Sequence, residues 1–430
     1  LEAPEEIILD ENVLAEGKKY FRIGVQRISP NHRLLAFSVD TTGGESFTLY
    51  VKDLETGELL TDEIPNTSYS VEWANDNKTL FYTILDEAKR PYQLFRHHVG
   101  DKPEKDELVY QEDDDAYYLS LYKTKDDAYL IMALESQITS ECHYLKADQP
   151  EQSFKLIHPR EYGMEYYVEH HGNEFLIRTN DQAINFKLMK APVTHPGKSN
   201  WKEFIPHREK IMLSGFEVFR NHLVLYERKD GLRQIHIFNL RDNTSHYVKF
   251  PESVYTAWGG DNPEFNTNIL RIHYTSLITP RTVYDYNMDT RDMELKKQEE
   301  VLGGYNPQDY TTERLFAPAP DGTPIPISIV YRKDFKKDGS HPLYLYGYGS
   351  YGASRDPFFS SRYLSLLDRG FAYAIAHIRG GGEMGRQWYE DGKLLKKKNT
   401  FTDFIACAEY LIKEKYTSPE RLVIAGGSAG

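Results

Sequence analysis

"RLVIAGGSAG", residues 421–430, is a short apolar run that passes directly into two glycines, a serine, an alanine and a last glycine. A strand that turns this sharply needs neighbours without bulk, because the backbone folds back on itself. Gly426, Gly427, Ala429 and Gly430 around Ser428 meet that need. G-x-S-x-G at the end of a strand is the setting of a nucleophilic serine on a strained turn into a helix. A turn that binds phosphate, or one that merely connects two elements, gives the same five residues. The chain in front of them has to decide.

That chain alternates. "TTERLFAPAPDGTPIPISIVYRKDF" (311–335) predicts two strands around an Asp321-Gly322 turn. "HPLYLYGYGSYG" (341–352) predicts a buried strand over Leu343–Tyr346 running into a glycine loop, followed by a helix near 360–368 closed by Gly370. "FAYAIAHIRGGGE" (371–383) repeats the strand-into-glycine pattern. In "NTFTDFIACAEYLIKEKY" (399–416), Phe401, Phe404, Ile405, Ala408, Leu411 and Ile412 keep helical spacing, with Thr400 as the expected N-cap and Asp403 as its acidic partner. Continuous apolar strands alternating with helices point to a parallel sheet covered on both faces. In this α/β setting Ser428 reads as a catalytic nucleophile.

Residues before about 300 follow another rule. "NHRLLAFSVD" at 31, "DNKTLFYTIL" at 76, "DDAYLIMALE" at 126, "GNEFLIRTND" at 172, "RNHLVLYERK" at 220 and "NTNILRIHYT" at 266 are short strands that each follow a polar turn. Their anchors, Leu35, Leu80, Leu130, Leu176, Leu223 and Ile269, are separated by 45, 50, 46, 47 and 46 residues. A period of about 45 residues with several short strands per repeat predicts β-propeller blades. Six repeats are visible, and a seventh blade shared between the two ends of the region is the expected closure. The boundaries drawn are 1–303 for the propeller and 304–430 for the first part of an α/β-hydrolase domain.

The bulk numbers exclude other classes. A chain of 430 residues is too long for one ordinary core. The net charge of −13 disfavours nucleic acid and anionic lipid as partners, and no apolar run approaches the ~18 residues of a membrane span. Two cysteines in unrelated contexts, Cys142 and Cys407, give neither a disulfide framework nor a metal-ligand spacing, and they suit a reducing cytoplasm. The chain opens on Leu1 rather than Met and has no signal-peptide pattern. No cofactor and no metal is expected.

"YLYGYGSYGAS" (344–354), "RGGGEMGRQWYEDGKLLKKKNTFTDF" (379–404) and "GGSAG" (426–430), in that order, resemble the prolyl oligopeptidase family of serine peptidases, and within it the oligopeptidase B branch. The likeness is dense over 311–430 and rests on blade rhythm over 1–300. It implies a seven-bladed propeller over an α/β-hydrolase domain, and hydrolysis of short peptides after Arg or Lys through an acyl-enzyme on Ser428. It implies Tyr348 and the backbone N–H of Ala429 as oxyanion donors, with Asp356 facing a basic side chain at the second substrate position. Where that branch has a second acid this chain has Phe358, which weakens the case for paired basic residues. Tyr351 stands where the proline-specific branch has phenylalanine, and it is assigned to substrate binding. The Lys393–Lys398 run reads as a solvated face.

The hydrolase order is serine, then acid, then histidine, and all 15 histidines here precede Ser428. The triad acid and base are therefore expected outside these residues, with the chain truncated after its nucleophile and inactive by itself. A monomer or small homo-oligomer is expected. Other readings left open are a prolyl-specific oligopeptidase, an acyl-aminoacyl peptidase or esterase of the same fold, and a non-catalytic propeller that binds a protein partner.

Overall fold

The computed structural model describes residues 4–430, so the first three residues of the expected 1–303 region lie outside it. Strands dominate from Arg22 to Gln298. Four sheets of four strands keep chain order, the last of them spanning Tyr255–Gly259 to Met293–Gln298. A seven-stranded sheet precedes them, from Arg22–Ile28 to Glu107–Gln111. Its long strand Leu59–Trp73 pairs with Phe47–Asp53 through its first half and with Thr79–Leu85 through its second. That sheet is thus two four-stranded meanders joined by one shared strand.

All six sequence anchors fall in the second strand of a four-stranded meander. Leu35, Leu80, Leu130 and Leu223 are fully buried and Leu176 nearly so, because the second strand of a meander has neighbours on both edges. Ile269 is the exception. It is 37 % exposed, and Leu270 takes the buried place, so the sixth repeat is one residue out of the expected register.

The last sheet has five strands: β1 (Tyr310–Pro318), β2 (Pro324–Arg332), β3 (Leu343–Gly347), β4 (Ala372–Ala376) and β5 (Leu422–Ala425), in the order β1-β2-β4-β3-β5. Strands β3, β4 and β5 are parallel. β1 and β2 form a hairpin through Asp321-Gly322, and β2 runs antiparallel to β4, so the sheet is mixed rather than wholly parallel. A two-stranded hairpin cannot enter a parallel sheet with both strands in the common direction. Ala372, Ala374 and Ala376 of β4 pack on one side with Cys407 and Leu411, while Tyr373 and Ile375 pack on the other with Val330 and Leu367. Both faces are covered, as continuous apolar strands require.

Helix α1 (Lys398–Lys413) begins two residues before the expected Thr400 cap, with Lys397 as N-cap. Its buried positions are Thr400, Asp403, Ala406, Cys407 and Leu411, whereas Phe401 and Ile405 are 60 % and 54 % exposed. The apolar spacing marked the helix and much of its inner face, since Leu411 is buried and Phe404 and Ala408 pack against the same core; it did not mark Thr400 and Asp403 as inward. Asp403 turns inward because Arg379 recruits it, donating Nε to Oδ2 at 2.9 Å and Nη2 to Oδ1 at 2.7 Å. Two compact units make up the chain, residues to Asp181 with Leu188–Phe204 and residues Gln182–Lys187 with Ile205–Gly430. Everything that concerns the candidate site lies in the second.

Candidate active site

Parallel strands deliver their C-terminal ends to one edge of the sheet, where loops converge. Tyr346 of β3 pairs with Ala425 of β5, so the turns that follow, Gly347–Ser350 and Gly426–Ser428, leave adjacent strand ends together. A side-chain carbon on Gly430 would stand 2.7 Å from the Gly347 carbonyl oxygen, and one on Gly426 would stand 2.5 Å from Gly430. Ser428 has φ +55°, a left-handed conformation that costs a non-glycine residue on the order of 1 kcal/mol. Its side chain is exposed. The Ala429 N–H donates no hydrogen bond within the described residues.

Tyr348 is 8 % exposed, and no hydrogen bond engages its hydroxyl among the described residues. The ring is held and the hydroxyl is available. Beside these turns lies an apolar cleft of about 340 Å³ bounded by Gly347, Ile378, Phe404, Ile424 and Ala429.

Asp356 is also buried, but it is not open to a substrate. Arg228 grips it with two parallel hydrogen bonds of 2.9 and 3.0 Å, and Arg233 Nε lies 2.8 Å from Oδ2. Burial pushes this carboxyl up, and the charges of Arg228 and Arg233 outweigh it, holding the group below its ordinary value. The basic partner expected from a substrate is thus already supplied by the protein. Phe358 lies edge-on to Trp258 with ring centroids 5.6 Å apart, and Tyr351 is 73 % exposed with φ +59°.

A second serine–histidine–carboxylate row occurs in the same unit. His377 Nε2 is 2.7 Å from Ser328 Oγ, and its Nδ1 is 3.7 Å from Glu383. All three residues are at most 1 % exposed, and burial lowers the His377 pKa. No substrate reaches them, so the row is structural. In the lysine run Lys396 and Lys398 are solvated as expected, and Lys397 is the departure. Lys397 donates Nζ to the Gly349 carbonyl and, at 2.5 Å, to Ser350 Oγ. No sequence signal separated Lys397 from its neighbours, because only the position of α1 decides which lysine points inward.

Residues 1–299 match the family model described as the prolyl oligopeptidase N-terminal β-propeller domain. The chain belongs to the prolyl oligopeptidase family. Residues 357–430 match the model for the family itself, so the first region is the propeller domain and the second the start of the peptidase domain. Dipeptidyl aminopeptidase BI of Pseudoxanthomonas mexicana is 44 % identical over the whole chain, which covers 59 % of that relative. Oligopeptidase B from Leishmania major superposes with a TM-score of 0.91 at 37 % identity, covering 99 % of this chain and 61 % of that one. Oligopeptidase B from Trypanosoma brucei, solved in a closed form with covalently bound antipain, gives a TM-score of 0.91 at 36 % identity, covering 100 % of this chain and 62 % of that one. The chain spans about three fifths of the length of these prolyl oligopeptidase relatives.

Proposed function

We propose that the protein carrying this chain is a serine oligopeptidase that cleaves short peptides after Arg or Lys. One observation carries the reading: Ser428 holds a left-handed φ of +55° at the end of β5, beside the turn that presents Tyr348. Ser428 Oγ attacks the scissile carbonyl carbon, and the carbonyl oxygen takes the negative charge. The Tyr348 hydroxyl and the Ala429 N–H donate to that oxyanion, neutral donors fixed where charge develops. The Ser428 proton passes to a base, which returns it to the leaving amine as the acyl-enzyme forms. His377 cannot be that base, being buried against Ser328. No histidine follows Ser428 in the 430 residues, so on this reading they do not hydrolyse peptides unaided.

The antipain covalently bound in the Trypanosoma brucei relative supports a covalent step at a nucleophile. The preference for Arg or Lys rests on likeness to oligopeptidase B. Release of dipeptides is a second reading, favoured by the 44 % identity to dipeptidyl aminopeptidase BI. Domain limits of 1–303 and 304–430, seven blades, and a cytoplasmic location belong to the same proposal. Six four-stranded meanders support six of the blades.

The test uses the full-length protein, a fluorophosphonate and chromogenic Arg, Pro and Ala peptide substrates. Ser428 is expected to be labelled, Ser428→Ala to abolish labelling and turnover, and Arg substrates to be cleaved fastest. Labelling that persists in Ser428→Ala would refute the nucleophile assignment. Tyr348→Phe is expected to lower kcat by about 10²–10³ with KM nearly unchanged, the size of losing one oxyanion donor. A blocked N-terminus that abolishes cleavage selects the dipeptide-releasing reading.

A further inference from the structure

The turn that carries Tyr348 is braced by two cations from opposite ends. Lys397, the N-cap of α1, reaches the Gly349 carbonyl and Ser350 Oγ, and Thr400 Oγ1 reaches the same carbonyl at 3.3 Å. Burial lowers the Lys397 pKa, as it does for an ammonium drawn out of solvent. On the other side the Arg355 guanidinium carbon stands 4.0 Å from the centroid of the Tyr348 ring. Arg355 is fixed through its backbone, whose N–H donates to fully buried Glu383 Oε1 at 2.7 Å. Its buried Nε has no hydrogen-bond partner, so on that edge the group is held by the ring rather than by an acceptor.

We propose that Lys397 and Arg355 are positioning residues for the Tyr348 hydroxyl: Lys397 fixes the backbone from which the side chain projects, and Arg355 clamps the ring. The inference rests on the reading of Tyr348 as an oxyanion donor and adds what aims it. Two physical effects support it. A phenol free to swing must be ordered during the reaction, and a displacement of about 1 Å from productive geometry can cost about 10²-fold in rate. A cation on the ring face also draws electron density from the phenol and strengthens its O–H as a donor. Neither cation touches the reacting atoms on this account, so both act only through Tyr348.

A double-mutant cycle in the full-length protein tests the inference through kcat and KM. Arg355→Met and Lys397→Met are each expected to lower kcat about tenfold with KM changed less than twofold. Arg355→Lys, which keeps a cation over the ring, is expected to restore part of the loss. In a Tyr348→Phe background the ring remains but has no hydroxyl to aim, so each Met substitution is expected to cost less than about a further twofold. Equal losses in both backgrounds, or no loss in the parent while Tyr348→Phe is costly, would overturn the positioning role and leave the oxyanion assignment standing. A neutral Tyr348→Phe would sink both. Two independent cations keep the test decisive if one variant folds poorly.

Discussion

Exchange of Asp356 for asparagine keeps the volume of the side chain and removes only its charge. In the structure that charge serves Arg228, whose side chain is 8 % exposed, and Arg233, which is 38 % exposed. Removing one partner of a buried pair leaves the other charge uncompensated, which typically costs about 3–5 kcal/mol. Arg233 can turn to solvent; Arg228 cannot. Asp356→Asn is therefore expected to lower the denaturant midpoint by an amount worth about 3 kcal/mol, with Arg-Arg and Gly-Arg substrates losing rate equally. An unchanged midpoint with a selective loss on Arg-Arg substrates would return Asp356 to the second substrate position. No feature of "ASRDPFF" could have announced the pairing, because the two arginines lie well over a hundred residues earlier in the chain.

At the scale of elements, what was legible in the sequence was whatever a local period or a local backbone demand dictates. The six blade strands were legible because each begins at a polar turn and continues as a short apolar run, which all but the last bury almost without a break. The stop at Gly370 was legible because φ +86° there suits glycine, and the Phe371 N–H closes back onto the Leu366 carbonyl. The inward turn of Asp403 on α1 was not, since Arg379 and not hydropathy directs it. Nor was the task of Lys397, one of three consecutive lysines. "RGGGE" sits between these cases: its glycines announced a tight turn but not what approaches it. Gly380 has φ +100°, and a side-chain carbon there would lie 2.0 Å from the Gly349 carbonyl oxygen. Gly380→Ala is expected to cost on the order of 3 kcal/mol or more, combining backbone strain with a clash against the turn that carries Tyr348. Gly57→Ala is the control. It has φ +77° but open space around it, so about 1 kcal/mol is expected. Equal shifts in the urea midpoint for the two variants would show that close approach to Gly349 is not what demands the glycine.

Across the whole molecule, stability near neutral pH is expected to fall as pH rises, and one buried histidine in the first unit sets the slope. His97 has no exposed side-chain surface and lies between Asp62 at 2.8 Å and Asp106 at 2.7 Å, with Tyr82 donating to the other Asp106 oxygen. Burial alone would lower its pKa. The hydrogen bonds and charges of Asp106 and Asp62 overcome that and hold it at about 9. Between pH ~6.5 and ~9 the folded state keeps a proton that the unfolded state has lost, so stability is full below that window and declines through it. The integrated loss is on the order of 3 kcal/mol. Buried Glu169, which desolvation raises to about 7, adds a loss of the same sign that is largely complete near pH 7. His222, His246, His273 and His377 are lowered by burial and act below pH ~6.5. The buried thiols Cys142 and Cys407 are raised, and they act only above the unfolded thiol pKa of ~8.5. Between pH ~7 and ~8.5 the slope belongs to His97. Urea unfolding at pH 6.5, 7.5 and 8.5 is expected to show a falling midpoint, and His97→Gln is expected to flatten it while lowering stability most at pH 6.5. A parent protein whose midpoint is level across that range would show that His97 is neutral between its two aspartates.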